Sequence, residues 1–518
     1  MTRYMRAYRD FSGGLSEAAN DNMQDNQLAE AQNIVAGDGY GIARASGYDI
    51  AYPAISGGED VLTLLEAELG ASEETTEVAL LAFTATRLLR YTPPQEEGAA
   101  GSWSAVASGL APIRDYFIHG KKLYWLDGTE FRVYDGAAVA AVTKGEGLSD
   151  AFWQRIKTAS FVEQRGSRWF FARAGYDDIY YTNVGTVNGF AETNVLNANS
   201  KNADHITGLC EFNRGLLIFK ERSVFYFSGW DFAGGSDLAM AELSVTSGTR
   251  FGRTVCKVEN AVLYLGYNGI YRLYVPNLST VIASRNMAEE KLSDTLYAFE
   301  PSDAFAETWN GVYYFWITNE SETREYRYDI SQQSFWGPFT QELSCYSTAL
   351  RDANLYLGCP NGYVLVANAG SFHYIDVEDG SETAIPIRAV TKGFDVADAM
   401  VQDVKLKRLE VVARQYKEES SVVDVRVQAD YNNAAFNIDF DESMVYGEGE
   451  YGATTWGWKE TVTKEARVNQ KAKRVRFYFT DANIDYPLLI YGVGLIYKKK
   501  KAKGNRDGVT AIAVSYDD

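Results

Sequence analysis

One arrangement of residues recurs along the chain and restricts its fold more than any other feature. In HGKKLYWLDGTEFRVYDG, beginning at His119, an apolar strand (LYWL) is followed by a polar turn and a second apolar strand. The same order returns in RGSRWFFARAGYDDIYYTN from Arg165, NRGLLIFKERSVFYFSGW from Asn213, NAVLYLGYNGIYRLY from Asn260, NGVYYFWITNESETREYRYD from Asn310 and ANLYLGCPNGYVLVAN from Ala353. A weaker copy, VALLAFTATRLLRYTP, begins at Val78. The first strands of these hairpins start near Leu80, Leu123, Trp169, Leu216, Leu263, Tyr313 and Leu355. The interval therefore runs from 42 residues (Tyr313 to Leu355) to 50 (Leu263 to Tyr313). A hairpin with a face of large aromatic and aliphatic side chains cannot bury that face alone. Radial stacking of neighbours buries it and leaves short edges, which is the β-propeller solution, with a period of roughly 40–50 residues per four-stranded blade. Asn268-Gly269 and Asn361-Gly362 supply turn residues that tolerate positive φ. The expected fold is all-β, with a six- or seven-bladed β-propeller.

Composition agrees and narrows the function. Aromatic residues make up 14% of the 518 and hydrophobic residues 46%, enough for a large packed core. The formal net charge of -19 argues against a basic nucleic-acid reader, because gripping phosphates requires clustered Lys and Arg. The four cysteines (Cys210, Cys256, Cys345, Cys359) form no CxxC pair, so neither a zinc site nor a dense disulfide framework is expected. The first residues lack an apolar run of the kind a signal peptide carries, and no stretch has the ~18 apolar residues of a membrane helix. Synthesis in a cytoplasm and no membrane partner are the corresponding expectations.

Beyond about Gly370 the rhythm changes. VQDVKLKRLEVVARQY, SVVDVRVQAD, KRVRFYFTDA and YPLLIYGVGLIYK are longer strands, several alternating polar and apolar, which predicts an antiparallel β-sandwich. The expected organisation is an N-terminal extended assembly segment (1–57), the propeller (58–370), a linker (371–384), the sandwich (385–497) and a basic, then polar, C-terminal tail (498–518). Glu17 to Asn33 reads as the best helix. Asp60 to Leu69 reads as either a helix or a first-blade strand. Phe440 to Glu460 is a Gly- and aromatic-rich loop whose Trp456 and Trp458 are the preferred aromatic anchors for an interface.

Residues that could carry chemistry are sparse. His119, His205 and His373 lie far apart with no metal-ligand spacing, and neither GxSxG nor a phosphate-binding GxxxxGK[ST] loop occurs. Asp177/Asp178, Asp231 and Glu325/Asp329 are the carboxylates a propeller glycosidase could use, but nothing singles out a pair. The expectation is no enzyme, no cofactor and no metal. DVEDGSE (Asp376 to Glu382) reads as a solvated linker in preference to a calcium loop. Trp230, Trp309 and Trp336 could stack on sugars, although the last two lie inside repeats and read better as blade anchors.

The segment from Asp10 to Asp49 resembles the opening of bacteriophage tail-hub and nozzle proteins, including the packaged-DNA stabilisation proteins of short-tailed phages. Their F-x-x-G-L-N opening corresponds to Phe11, Gly14 and Leu15. Their D-N-E-A-x-x-x-x-N segment corresponds to Asp25, Asn26, Leu28, Ala29 and Asn33, and Arg44 and Gly47 follow a short turn. Ser16 stands where Asn is usual, and Gln27 where an acid is usual. REYRYDISQQSFWGPF (Arg324 to Phe339) is similar to their Y-x-Y-D…W blade motif, and PLLIYGVGLIYKKKK resembles their closing sandwich strand. The resemblance implies a structural protein of the virion, forming a six-fold homo-oligomeric ring in the tail. Portal or adaptor proteins would lie above it and distal tail or fibre proteins beyond. Such a ring retains packaged double-stranded DNA and later passes it out without specific binding. Phe11, Gly14, Leu15, Asn26, Asn33, Arg44, Trp456 and Trp458 are then the expected assembly-interface residues, and Asp10 to Asn33 is expected to be dispensable for folding of the propeller but needed for incorporation into the particle. The alternatives are a propeller-based glycan- or receptor-binding tail protein and, further off, a glycosidase.

Overall fold

The computed structural model describes residues 3–499 apart from 71–75, 97–99, 199–203, 230, 233–234, 237–238, 246, 277–280, 340–344, 369, 377–378, 397–403, 415–421, 431, 440–460 and 482–487. Seven four-stranded antiparallel units follow one another in sequence and close into a ring. Six of them are separate sheets, and the remaining one forms the first four strands of an eleven-stranded sheet. Their first strands, which are the inner ones, are Thr63–Leu69, Asp115–His119, Phe161–Arg165, Ile206–Phe212, Cys256–Val258, Asp303–Trp309 and Ser347–Arg351, here blades 1 to 7. Blade 7 contacts blade 1, which completes the circle.

Core packing gives the same count independently. The described residues contain seven hydrophobic clusters; six lie at one blade–blade boundary each, and the seventh joins the boundary of blades 5 and 6 to the core of the sandwich. The second strand of a blade is buried on both faces, so adjacent residues enter different clusters. Phe170 packs toward blade 4 and Phe171 toward blade 2. Leu80 packs toward blade 7 and Leu81 toward blade 2. This is why the sequence reads as unbroken aromatic and aliphatic runs. All seven hairpins expected from the sequence are present, but as the second and third strands of each blade. The segment 60–69 resolves as the inner strand of blade 1. At the Asn361-Gly362 turn both residues have positive φ, 54° and 78°, as the sequence implies, whereas neither Asn268 nor Gly269 adopts it.

The N-terminal segment is woven through the molecule. Tyr4–Tyr8 pairs with Leu489–Lys499 of the sandwich. Gln27–Gln32 lies between Ser334–Phe339, the outer strand of blade 6, and Ile387–Thr391 of the sandwich. Tyr48–Tyr52 supplies the fourth strand of blade 7, so residues from both ends of the propeller sequence close the ring. Glu17 to Asn33 is therefore not a helix. Leu28 and Ala31 are buried between two sheets, and that tertiary contact outweighs the helical propensity of the Ala, Leu, Glu and Gln around them. The 371–384 linker contains a short hairpin, His373–Ile375 paired with Glu382–Ala384. The sandwich itself has two layers. One contains Ile34–Ala36, Ile42–Arg44, Leu489–Lys499, Val404–Arg414 and Thr461–Arg467. The other continues from blade 6 through Gln27–Gln32 to Ile387–Thr391, Arg474–Asp481, Val422–Ala429 and Asn432–Asp439.

Candidate functional site

Each inner strand brings one charged side chain to the propeller axis: Glu66, Asp115, Glu163, Glu211, Lys257, Glu307 and Arg351. Contacts between blades that are not neighbours show that charged side chains reach across the axis and narrow it. Lys257 of blade 5 reaches Glu163 of blade 3 at 3.9 Å as well as Glu211 of blade 4 at 3.3 Å. Arg253, just before blade 5, lies over the Phe305 ring at 5.2 Å and donates to the Tyr346 carbonyl beside blade 7. Arg351 closes the circuit with Glu66 at 3.2 Å.

Burial sets the electrostatics of this plug. Asp115 accepts hydrogen bonds from the Val162 and Tyr116 amides at 2.7 and 2.8 Å, yet desolvation pushes its pKa up to about 7. Glu163 and Glu307 are raised for the same reason, and Lys257 partly offsets the effect at Glu163. At Lys257 burial works downward, but Glu163 and the other neighbouring negative groups outweigh it and hold the ammonium above its usual value. Desolvation also pushes the Cys210 thiol up to about 12, so this buried sulfur is a poor nucleophile. The arrangement can stabilise internal charge and exchange protons near neutrality. A passage for duplex DNA does not fit through an axis crossed by these side chains.

The residues expected at an assembly interface lie elsewhere. Phe11, Leu15, Asn33 and Arg44 are buried inside the chain, the first three where propeller and sandwich meet and Arg44 between the two sandwich layers, so a neighbouring subunit cannot touch them as placed. That is a correction to the sequence reading, and its cause is the strand insertion described above. Asn33, in the left-handed region at φ 54°, donates to the Pro386 carbonyl at 2.6 Å and its amide donates to Pro338. Arg44 pairs with buried Asp481; burial pulls its guanidinium pKa down and Asp481 pulls it back. Gly14 has φ 65°, and a Cβ there would stand 2.4 Å from the Phe335 carbonyl oxygen of blade 6. Asn26 is half-buried, and its amide reaches the Ser12 hydroxyl at 3.4 Å. Trp456 and Trp458 lie outside the described residues.

The described carboxylates that a glycosidase could have used have structural partners instead. Asp177 pairs with buried Lys220 at 2.8 Å, and Asp178 accepts from Asn197. Glu325 takes a hydrogen bond from Tyr48 at 3.0 Å and pairs with Arg327 at 2.6 Å, which locks the N-terminal strand of blade 7 to blade 6. Asp329 caps the following turn through Ser331 and the Gln332 amide. His119 packs against Trp169, whereas His373 sits near Asp49 and Glu382. Trp309 and Trp336 act within blades 6 and 7, donating to Ala353 and Ser334. Among the described residues no group of three or more His, Cys, Asp and Glu is disposed to hold a metal ion, and no helix is long and apolar enough to cross a membrane.

No family model matches the chain, and no curated protein does. Solved structures with a related arrangement include the extracellular domain of a one-component system from B. thetaiotaomicron, at 11% identity and TM-score 0.44, covering 89% of this chain and 63% of that one. The chain thus spans just under two thirds of that domain's length. The Pan2 WD40 domain of Neurospora crassa is similar at 8% identity and TM-score 0.37 over 61% of this chain and 98% of its own. PorZ of Porphyromonas gingivalis, a surface component of the type-IX secretion system, is similar at 13% identity and TM-score 0.36 over 74% and 46%.

Proposed function

We propose that this chain is a structural component of a bacteriophage tail, assembling head-to-tail into a six-fold ring whose lumen, between protomers, retains packaged DNA and conducts it on ejection. The observation that carries the reading is the location of the N-terminal signature. Of the residues that resemble the tail-hub opening, Gly14, Leu28 and Asn33 lie where blade 6 meets the sandwich, Phe11 and Leu15 are buried in the same core, and Arg44 joins the two sandwich layers through Asp481. The resemblance therefore rests on determinants of a two-part architecture, where chance similarity in a surface segment would carry little. A heterologous interface that closes by rotation generates such a ring. A net charge of -19 suits such a task, because an acidic protein repels phosphates and does not grip the DNA it surrounds. In this reading the conduit is the lumen of the ring, since the propeller axis, crossed by Lys257 and Glu163, is too narrow for a duplex.

Quantitative mass spectrometry of purified particles tests the assignment. The chain should be a constant virion component at about six copies, the number a six-fold ring requires. Its absence from infectious particles would overturn the reading. A receptor-binding role is compatible with the same ring and draws on other residues, the exposed tyrosines described next.

A further inference from the structure

A cleft of about 360 Å³ opens between blades 5 and 6. It lies on the face where the inner strands begin, and its walls come from three connections. Arg250 and Phe251 precede blade 5, Leu265 to Tyr267 turn between its second and third strands, and Leu296 to Ser302 lead into blade 6. Tyr267 and Tyr297 are 68% and 59% exposed, among the most exposed large side chains of the molecule. Their rings stand 6.0 Å apart at 67°, forming two walls of a corner.

The backbone around the cleft is fixed in advance. Tyr297 rides on the helix Ser293–Phe299, whose Leu296 and Phe299 are buried. Glu17, from the N-terminal segment, accepts from the Asp294 and Thr295 amides at 2.8 and 2.9 Å and so holds the start of that helix. The Tyr267 amide donates to Ser247 at 3.0 Å. Two rigid tyrosines with few torsions to freeze are inexpensive contact surfaces for a ligand.

We propose that this cleft binds a neutral saccharide, one pyranose ring at the corner formed by Tyr267 and Tyr297. Its volume falls in the ~300–1,000 Å³ range of small-molecule sites. The lining carries one cation, Arg250, and one anion, Glu300, around an apolar floor of Phe251, Leu265 and Leu296. A cationic ligand would meet Arg250 and an anionic one Glu300, so neither is favoured. A sugar hydroxyl donates and accepts at once and can therefore satisfy both groups. The weakly polar C–H face of a pyranose covers the negative face of a tyrosine ring, which removes apolar surface from water on both sides. The cleft is built from one chain and its test uses the free chain, so failure of one proposal leaves the other standing.

Saturation-transfer NMR with the full chain tests it. The probes are methyl glucopyranoside, methyl galactopyranoside, methyl mannopyranoside and N-acetylglucosamine, with glucuronate and choline as charged comparators. At least one neutral sugar should receive saturation on its ring protons. Tyr267→Ala and Tyr297→Ala should each weaken its binding about tenfold or more, as loss of an aromatic anchor does. Tyr176→Ala, at an exposed tyrosine elsewhere, should not. Both cleft tyrosines project into solvent, so unchanged thermal melting is the expected folding control. The proposal is overturned by an absence of transfer to every neutral sugar, by binding that survives both cleft substitutions, or by a preference for glucuronate or choline.

Discussion

Arg44 and Asp481 show how a single polar pair can hold the two layers of the sandwich together. Both side chains are almost wholly buried, so removing one leaves the other charged in a poor dielectric. Arg44→Ala should cost about 3–5 kcal/mol by urea unfolding, whereas replacing both with apolar residues of similar volume should cost far less. Asp115 makes the opposite kind of prediction. Its folded pKa, about 7, lies above that of an unfolded aspartate, so the folded state binds the extra proton. The associated stability is fully present below about pH 4 and is lost as pH rises through about 7. The melting temperature should fall between about pH 5 and pH 8, and Asp115→Asn should make that decline shallower. A slope unchanged by the substitution would remove Asp115 from the account.

At the scale of elements, the double-sided second strands are the clearest units. Phe171 is fully buried at the boundary of blades 2 and 3, and Phe171→Ala should destabilise by about 3–5 kcal/mol in a chemical melt. Deleting Asp10–Asn33 should yield a chain that fails to fold as a monomer. The deletion removes Gln27–Gln32 from between blade 6 and the sandwich and Glu17 from the helix it caps. This reverses the expectation that the segment is dispensable, and circular dichroism with limited proteolysis of the deletion checks it. The same elements explain what could be read from the sequence. Second and third strands were legible because burial on both faces demands continuous runs such as LLIF and VYYFWI. Inner strands were not, because they face a polar axis and interleave Glu66, Glu163 and Lys257 with apolar neighbours. Gln27–Gln32 was misread because its partners, Gly337 and Ala389, lie hundreds of residues away and leave no local periodicity. Tyr267 and Tyr297 escaped notice for a related reason: only the fold brings a blade turn and an interblade helix to one corner.

At the scale of the molecule, a seven-bladed ring whose axis is crossed by Lys257 and Glu163 has no room for a duplex, so the proposed conduit requires several copies arranged around a shared lumen. The excess of acidic residues should prevent the free chain from retaining duplex DNA in a gel-shift assay at physiological salt, since neutralising phosphates is what drives such binding. The most direct test of the central claim is cryo-electron microscopy of the tail in assembled particles, with symmetry determined at the density that fits this propeller and sandwich. The account predicts six copies around a DNA-bearing channel, with each propeller axis outside the DNA path. A single copy per tail, or DNA density running through a propeller axis, would contradict it.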